Sequence, residues 1–302
     1  MITVGIAAYN AAETLPLLLE SLLAQEYPRA GFEVVVADNG SSDETTEIVR
    51  QYARRGPIRL LHADHRRGPA VARNTIVAAA LGDIIAFTDS DCCADARWLA
   101  EIRAGFSKPE IGCVAGGIQG AEAKTPVEGY YCRHNILSQE TVLNHPFLPY
   151  AQTANAAFRR EVFQRVGPFD ETLLVGEDLD LLWRMQLETE YRLCYCQHAL
   201  VWHRHRSTLR GFLRHSVGWG VCQALIYKKY RGHLRRDSWS QLLCDYRRIG
   251  GLLWLTLRRW VGVKLGHGEV EVLQDTYLTL FRLCGIKLGR WKGSLVGQVF
   301  YP

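Results

Sequence analysis

An α/β fold, built on a mostly parallel sheet flanked by helices and followed by a helical extension, is what this 302-residue sequence predicts. Three observations carry that expectation. Strand-like and helix-like segments alternate as far as about residue 205, the strand-like ones are continuous apolar runs, and several runs end in polar clusters. Strands without apolar–polar alternation are buried on both faces, which a β–α order achieves by covering a parallel sheet with helices. Right-handed crossovers then bring the C-terminal ends of the strands to one edge, where open α/β sheets bind ligands.

The elements follow in order. Residues 3–7 form a short apolar strand ending at Tyr9-Asn10, and residues 15–23 carry Leu at helical spacing before Tyr27-Pro28. Residues 32–37 form a second buried strand that runs into Asp38-Asn39-Gly40-Ser41-Ser42-Asp43. Asp43 suits the cap of a helix reaching Arg55, with Glu44 and Glu47 favourable in its first turn. A third strand at 58–62, an Ala-rich helix at 71–81 and a fourth strand at 84–88 lead to Asp89-Ser90-Asp91. A helix over 95–106, a fifth strand at 114–118 and a helix opening at Glu177 complete this part, and Cys194-Tyr195-Cys196 reads as strand packed in a core. Helices with interleaved aromatic, Leu and Arg residues are expected at 207–230, 236–260 and 268–289. The expected domains are therefore 1–205 and 206–302.

A composition of 48% hydrophobic and 22% charged residues excludes a disordered chain. The net charge of +5 hides an asymmetry: residues 203–302 hold 18 Lys and Arg against 5 Asp and Glu, leaving 18 against 26 in residues 1–202. The start shows no basic segment followed by a long apolar core, so no export signal is read there. The best apolar stretch, 249–257, stops after nine residues at Arg258-Arg259, far short of the roughly 18 needed to span a bilayer. Nine cysteines without a CxxC pair point to a reducing cytoplasm.

The chemistry gathers at the strand ends. Asp89 and Asp91, two residues apart after a buried strand, can face one hard divalent cation whose other positions go to water and phosphate oxygens. A helix-capping turn is the bland alternative. Asp38 can accept from a base N–H or simply open an Asx-turn. Tyr9 can stack on a flat base or pack, and Arg73-Asn74, early in a helix, can reach base, ribose or phosphate or lie on a solvated face. Glu177 and Asp178 suit a helix N-terminus, and a carboxylate held beside a sheet edge is also where a general base belongs; Asp180 points elsewhere. His203, after an apolar segment, can complete the coordination of Mn²⁺ or be structural, and His205 is a weaker candidate.

The ordered series AAYN at 7–10, VVVADNGSSD at 34–43, GPAVARN at 68–74, GDIIAFTDSDC at 82–92, WL at 98–99, NAAFRREVFQRVGPFDE at 155–171, GEDLDLLWR at 176–184 and VWH at 201–203 resembles the family 2 glycosyltransferases of the GT-A fold. The likeness runs from residue 2 to about 210. It implies an inverting transferase that uses Mn²⁺ or Mg²⁺ and, most often, a UDP-sugar. By that resemblance Tyr9, Asp38 and Arg73 hold the base, Asp89 serves the ribose and the metal shell, and Ala8 and Ser90 complete the donor set. Asp91 binds the metal, His203 is a further ligand, and Asp178, beside Glu177, is the catalytic base. Three positions depart from the family pattern: Ala7-Ala8 stands for Pro-Thr, Asn39 for a second Asp, and Cys92 for the Asp after DSD.

The basic C-terminal part, with Leu252-Leu253-Trp254-Leu255-Thr256-Leu257-Arg258-Arg259-Trp260, suits either an interfacial helix on anionic lipid or a solvated helical appendage. The resemblance implies a saccharide or lipid-linked acceptor, and because many such enzymes use lipid-linked ones, a cytoplasmic enzyme with a peripheral place on the inner membrane face is the expectation. No nucleic-acid-binding motif accompanies the charge. Acceptor choice is expected in residues 121–150 and the C-terminal helices. A nucleotidyltransferase, a retaining transferase and a silent nucleotide-sugar scaffold are the competing readings. The first lacks a Gly- and Lys-rich phosphate loop and leaves GEDLDLLWR unexplained, and Asp89, Asp91 and Asp178 count against the last.

Overall fold

The structure, a computed structural model, describes residues 1–234 and 239–301. It resolves into two compact units, one of Met1–Ala121 with Asn135–Arg204 and one of Glu122–His134 with His205–Pro302.

In the first unit β1 (Ile2–Ala8), α1 (Leu15–Leu23), β2 (Phe32–Asp38), α2 (Thr45–Ala53), β3 (Ile58–His62), α3 (Pro69–Ala79) and β4 (Ile84–Asp89) alternate as expected. Then come β5 (Cys92–Ala94), α4 (Trp98–Gly105) and β6 (Ile111–Gly120). Among the described residues eight strands form one sheet in the order β3-β2-β1-β4-β7-β6-β8-β5, where β7 is Asn155–Arg159 and β8 is Arg192–His203. The mixed α/β architecture and the parallel β3-β2-β1-β4 half agree with the sequence reading.

Two strands depart from it. β7 runs antiparallel to both β4 and β6, and β5 antiparallel to β8. At the start of β7, Asn155 ties the strand to distant parts of the chain. Its fully buried amide donates to the Gly117 and Ala199 carbonyls, both at 2.7 Å, and its Oδ1 accepts from Trp98 Nε1 at 2.8 Å. A side chain on Gly116 would collide with that amide, so glycine permits the approach. Because β7 is reversed, Asn155 at its start lies opposite Thr88 at the end of β4.

The core follows from spacing. Leu15, Leu18, Leu19 and Leu22 recur at i, i+3, i+4 and i+7, are fully buried, and pack with Val4, Ile6, Val34, Val36, Ile84 and Ala86. Phe87, Phe158, Phe163 and Phe169 form a second cluster, with Phe87 edge-on to Phe169 at 5.5 Å between ring centroids. Two further helices, α7 (Arg160–Val166) and α8 (Glu177–Glu188), follow β7 in sequence, while α6 (Gln139–Leu143) precedes it. Gly176, at φ 87°, opens α8 from the left-handed region that favours glycine.

In the second unit, α9 (Leu209–Tyr230), α10 (Trp239–Lys264) and α11 (Val270–Gly297) correspond to the expected helices at 207–230, 236–260 and 268–289; the start of the middle one lies outside the described residues. α9 and α11 cross closely. A Cβ on Gly289 would fall on the Val217 carbonyl, and one on Gly220 on the Ile286 carbonyl. The segment α5 (Pro126–Arg133) groups here, with Thr125 Oγ1 accepting from Glu128 N–H at 3.3 Å and Lys124 N–H donating to Glu128 Oε2 at 2.9 Å. Arg133 holds Asp275 of α11 at 2.6 Å, and Tyr130 meets Thr279 at 3.0 Å. No helix among the described residues is long and apolar enough to cross a membrane.

Candidate active site

The C-terminal ends of β1, β2 and β4 place Ala8, Asp38 and Asp89 on neighbouring strands, with Ala8 paired to Asp38 and Ala7 to Asp89. Ala8 is buried and contributes backbone, its carbonyl accepting from Asn39 N–H at 2.8 Å. The buried carboxylate of Asp38 accepts from Gly40 N–H at 3.2 Å and from Ser41 N–H at 3.2 Å, so the Asx-turn reading of the sequence is present there. Asp43 stands one residue before the N-cap of α2 and accepts from Thr45 N–H at 3.1 Å and Ala12 N–H at 3.1 Å.

Asn39 has a clear use for its amide. It donates to the carbonyls of Ala63 and of Arg66, the latter at 2.8 Å, and its Oδ1 accepts from Gly68 N–H at 2.8 Å. A carboxylate there would face two carbonyl oxygens with no proton to offer. The departure from the family pattern thus fixes the loop before α3. That loop carries Arg67, whose guanidinium lies 4.6 Å over the exposed Tyr9 ring. Arg67 drew no attention in the sequence, because an arginine in a His-Arg-Arg run is ordinary solvated surface.

The acidic turn after β4 meets the end of β8. Cys92 pairs with His203 across β5 and β8, and Arg204 N–H donates to the Asp91 carbonyl at 2.9 Å. His203 is buried, and its Nε2 stands 3.3 Å from Asp91 Oδ1 and 3.9 Å from Asp89 Oδ2. Both aspartates are partly open to solvent, and Ser90 between them is half-buried. Asp91, Cys92 and His203 each offer a donor atom within 4.8 Å of the others. His205 lies in the second unit, stacked on Tyr131 at 5.0 Å.

Arg73 lies early in α3, as the sequence predicts, with ion-pair partners that the sequence did not show. It is buried and ion-paired to Glu177 and, at 3.2 Å, to Asp89. Its hydrogen bonds go to protein carboxylates, linking the start of α8 to the end of β4. Asn74 is likewise committed, donating to the Phe169 carbonyl at 3.0 Å and Glu171 at 2.9 Å and accepting from Phe169 N–H at 2.9 Å. These bonds give GPAVARN and GPFDE a shared structural purpose.

Asp178 follows Glu177 in the first turn of α8. Its Oδ1 accepts from Leu179 N–H at 2.8 Å and its Oδ2 from Thr153 N–H at 3.3 Å, which fixes the carboxylate's orientation. Asp180 is fully buried and bound to Arg184 at 2.9 Å, pointing away as expected. Burial pushes Asp178 above its ordinary 3.8, against the opposing pull of Arg73. Glu177 is raised to about 7 by burial, with Arg73 pulling it down and Asp178 pushing it up. Arg73 is held charged: burial works against it, and Glu177, Asp89 and Asp178 outweigh that cost. Cys92 is raised well above 9.0 by burial and then by Asp89 and Asp91.

Comparison with known proteins bears on the family and the fold. The family model "Glycosyl transferase family 2" matches residues 3–167. The pre-mycofactocin glycosyltransferase of Mycobacterium tuberculosis is 36% identical over 273 residues, covering 88% of this chain and 54% of that protein. The chain thus spans about half the length of that relative. The mannosyltransferase PcManGT of Pyrobaculum calidifontis, solved with GDP-Man and Mn²⁺, superposes with a TM-score of 0.66 at 20% identity, covering 96% of this chain and 86% of that one. S. aureus TarS residues 1–349, solved with UDP-GlcNAc, gives a TM-score of 0.56 at 16% identity, covering 100% and 93%. The two structural likenesses bear on the fold.

Proposed function

Since the chain belongs to glycosyl transferase family 2, we propose that it transfers a sugar from a nucleotide-sugar donor to a hydroxyl of a saccharide or lipid-linked acceptor, with inversion at the anomeric carbon. The observation that carries this reading is the convergence at the sheet edge. Asp91 and His203 approach to 3.3 Å, Asp89 and Glu177 share one buried guanidinium, and Asp178 is the next residue along the helix.

Each side chain has a task in that reading. Asp91 and His203 would hold a divalent ion with Asp89 beside them, and an imidazole among oxygen donors suits Mn²⁺ better than Mg²⁺. Such an ion, when bound, supplies Lewis acidity towards the departing diphosphate. Asp178 takes the proton from the attacking hydroxyl. Thr153 and Leu179 N–H hold its two oxygens in place, and the N-terminal turn of α8 favours its ionised form. Tyr9 and Asp38, with Ala8 and Ser90, form the donor's base and ribose side, and Arg73 serves there by holding Asp89.

The donor is a UDP-sugar by resemblance to the family, while neighbours of the same fold carry GDP-Man and UDP-GlcNAc. A hydrolysis and binding screen of UDP-, GDP- and dTDP-sugars with Mn²⁺, Mg²⁺ or EDTA tests both points. Metal-dependent release of one nucleotide is the expected result. Folded protein that binds none of them would overturn the assignment and favour a scaffold.

The second unit supports a peripheral membrane role. On α10, Leu253, Trp254, Leu257, Trp260 and Val261 are exposed, and Arg258 and Lys264 lie over the Trp254 and Trp260 rings at 5.5 Å and 6.0 Å. Indole rings beside cations suit an anionic interface. Co-sedimentation with anionic vesicles at low salt is expected, and its absence would discard this part.

A further inference from the structure

Cys92 is the residue that the function above leaves unused. A sulfur stands where the family pattern has a third acid, and three features of its setting go beyond a packed core thiol. Cys92 and His203 are directly paired residues of β5 and β8, so both side chains project from the same face of the sheet. Asp91 immediately precedes Cys92, and its Oδ1 lies 3.3 Å from His203 Nε2, the separation that two bonds of about 2 Å make around a tetrahedral ion. One donor atom from each of the three residues falls within 4.8 Å of the other two. Carboxylate, thiol and imidazole therefore converge, and the set is graded in depth. Asp91 is 39% exposed at its side chain, whereas Cys92 and His203 are 2% and 3% exposed.

We propose that Asp91, Cys92 and His203 form a deeper cation seat, selective for thiophilic divalent ions such as Zn²⁺ and Cd²⁺, which shares two ligands with the seat of the working ion. A hard ion stays with Asp91, His203 and the Asp89 carboxylate beside them and leaves the thiol protonated. A soft ion enters past Asp91, the S–H bond breaks, the proton leaves to solvent, and a metal–sulfur bond forms with no change of oxidation state. Three protein donors leave one tetrahedral position for water. An ion held there withdraws Asp91 and His203 from the position that serves the diphosphate, so Zn²⁺ and Cd²⁺ bind at this site without supporting turnover. The binding claim stands on the three donors; the block on turnover rests on the function proposed above.

The test uses the full chain without nucleotide. Cd²⁺ is titrated in while the ultraviolet thiolate-to-cadmium charge-transfer band is followed. The chain has nine cysteines, so the reading is the difference between wild type and Cys92→Ser, with His203→Gln as a second variant that keeps the thiol. The expected result is a band saturating at one equivalent, lost in Cys92→Ser, with Cd²⁺ affinity weakened roughly tenfold or more in His203→Gln. A band of equal size in wild type and Cys92→Ser, or no band at all, overturns the seat. Mn²⁺ binding, followed by electron paramagnetic resonance, separates the two readings. Mn²⁺ bound without a Cys92-dependent cadmium band sinks only the soft seat. Neither ion bound sinks the seat and the metal assignment together.

Discussion

In the sheet unit, charge is buried and answered. Arg73 lies between Glu177 and Asp89, Asp180 against Arg184, and His203 beside Asp91, each with one partner or both shielded from water. Along α10 of the helical unit the pattern is inverted: Arg258 and Lys264 sit on the surface beside exposed Trp254, Trp260 and Leu257. Buried ionisable groups depend on their neighbours atom by atom, because an unmatched charge in low dielectric is costly. Surface charge beside apolar rings acts through composition and area, so no single residue is decisive. Point substitutions should therefore have large, specific effects in the buried cluster of the first unit and small, cumulative ones on the surface of α10.

The largest effect is expected at Asp178. Asp178→Asn folds and binds donor, and its turnover falls by about 10²–10⁴-fold. Steady-state rates beside donor titration check this, and near-normal transfer would break the assignment. Burial also holds Asp178 above the ordinary 3.8, so in wild type the acid limb of kcat/KM lies above the usual aspartate range, with activity rising as the base deprotonates.

Next comes Arg73→Met, which leaves Glu177 and Asp89 without their shared counter-ion. Losing one partner of a buried pair costs about 3–5 kcal/mol, read as a lower urea midpoint. A variant as stable as wild type would show that the acids are not charged together.

Glu177 provides a pH test of the same cluster. Its folded value of about 7 exceeds its ordinary 4.5, so the folded chain retains a proton that the unfolded chain has lost between those values. The contribution is fully present below the ordinary value and disappears as pH rises through about 7. Stability from this group therefore declines across that window, by at most about 1.4 kcal/mol per pH unit. Glu177→Gln flattens this part of the curve in urea melts between about pH 5 and about pH 8, and an unchanged slope would place the proton elsewhere.

The smallest effect on folding belongs to the other unit. Replacing Trp254 and Trp260 together by Ser changes stability by no more than about 0.5 kcal/mol per site, since both rings are exposed. Binding to anionic vesicles falls nonetheless. Vesicle binding unchanged in the double variant would move the contact surface away from α10.

Much of the first unit was legible because its signals are local. Apolar runs at 3–7, 32–37, 58–62 and 84–88 became β1 to β4 within a residue or two, and Leu at helical spacing became α1. The acids at 38, 89 and 91 stand at strand ends because parallel strands share an edge. β5, α5, α6, β7 and α7 went unread as elements, being short or, like β7, oriented by distant partners. The protein partners of Arg73 and Asn74 were illegible for the same reason. Their types permit contact with a nucleotide, while their actual bonds go to Asp89, Glu177 and residues 169–171, far off in sequence.

The sequence by itself determined the α/β alternation, the acidic strand ends, the family and the charge contrast between the two parts, all of which follow from residue type and short-range spacing. Tertiary structure alone decided that β7 runs backwards, that Asn39 clamps the loop carrying Arg67, that one guanidinium joins α8 to β4, and that Cys92 meets Asp91 and His203. The physical reason is separation along the chain. Periodicity reports which face of an element is apolar, but hydrogen bonds and ion pairs between residues a hundred positions apart exist only once the intervening sheet has folded.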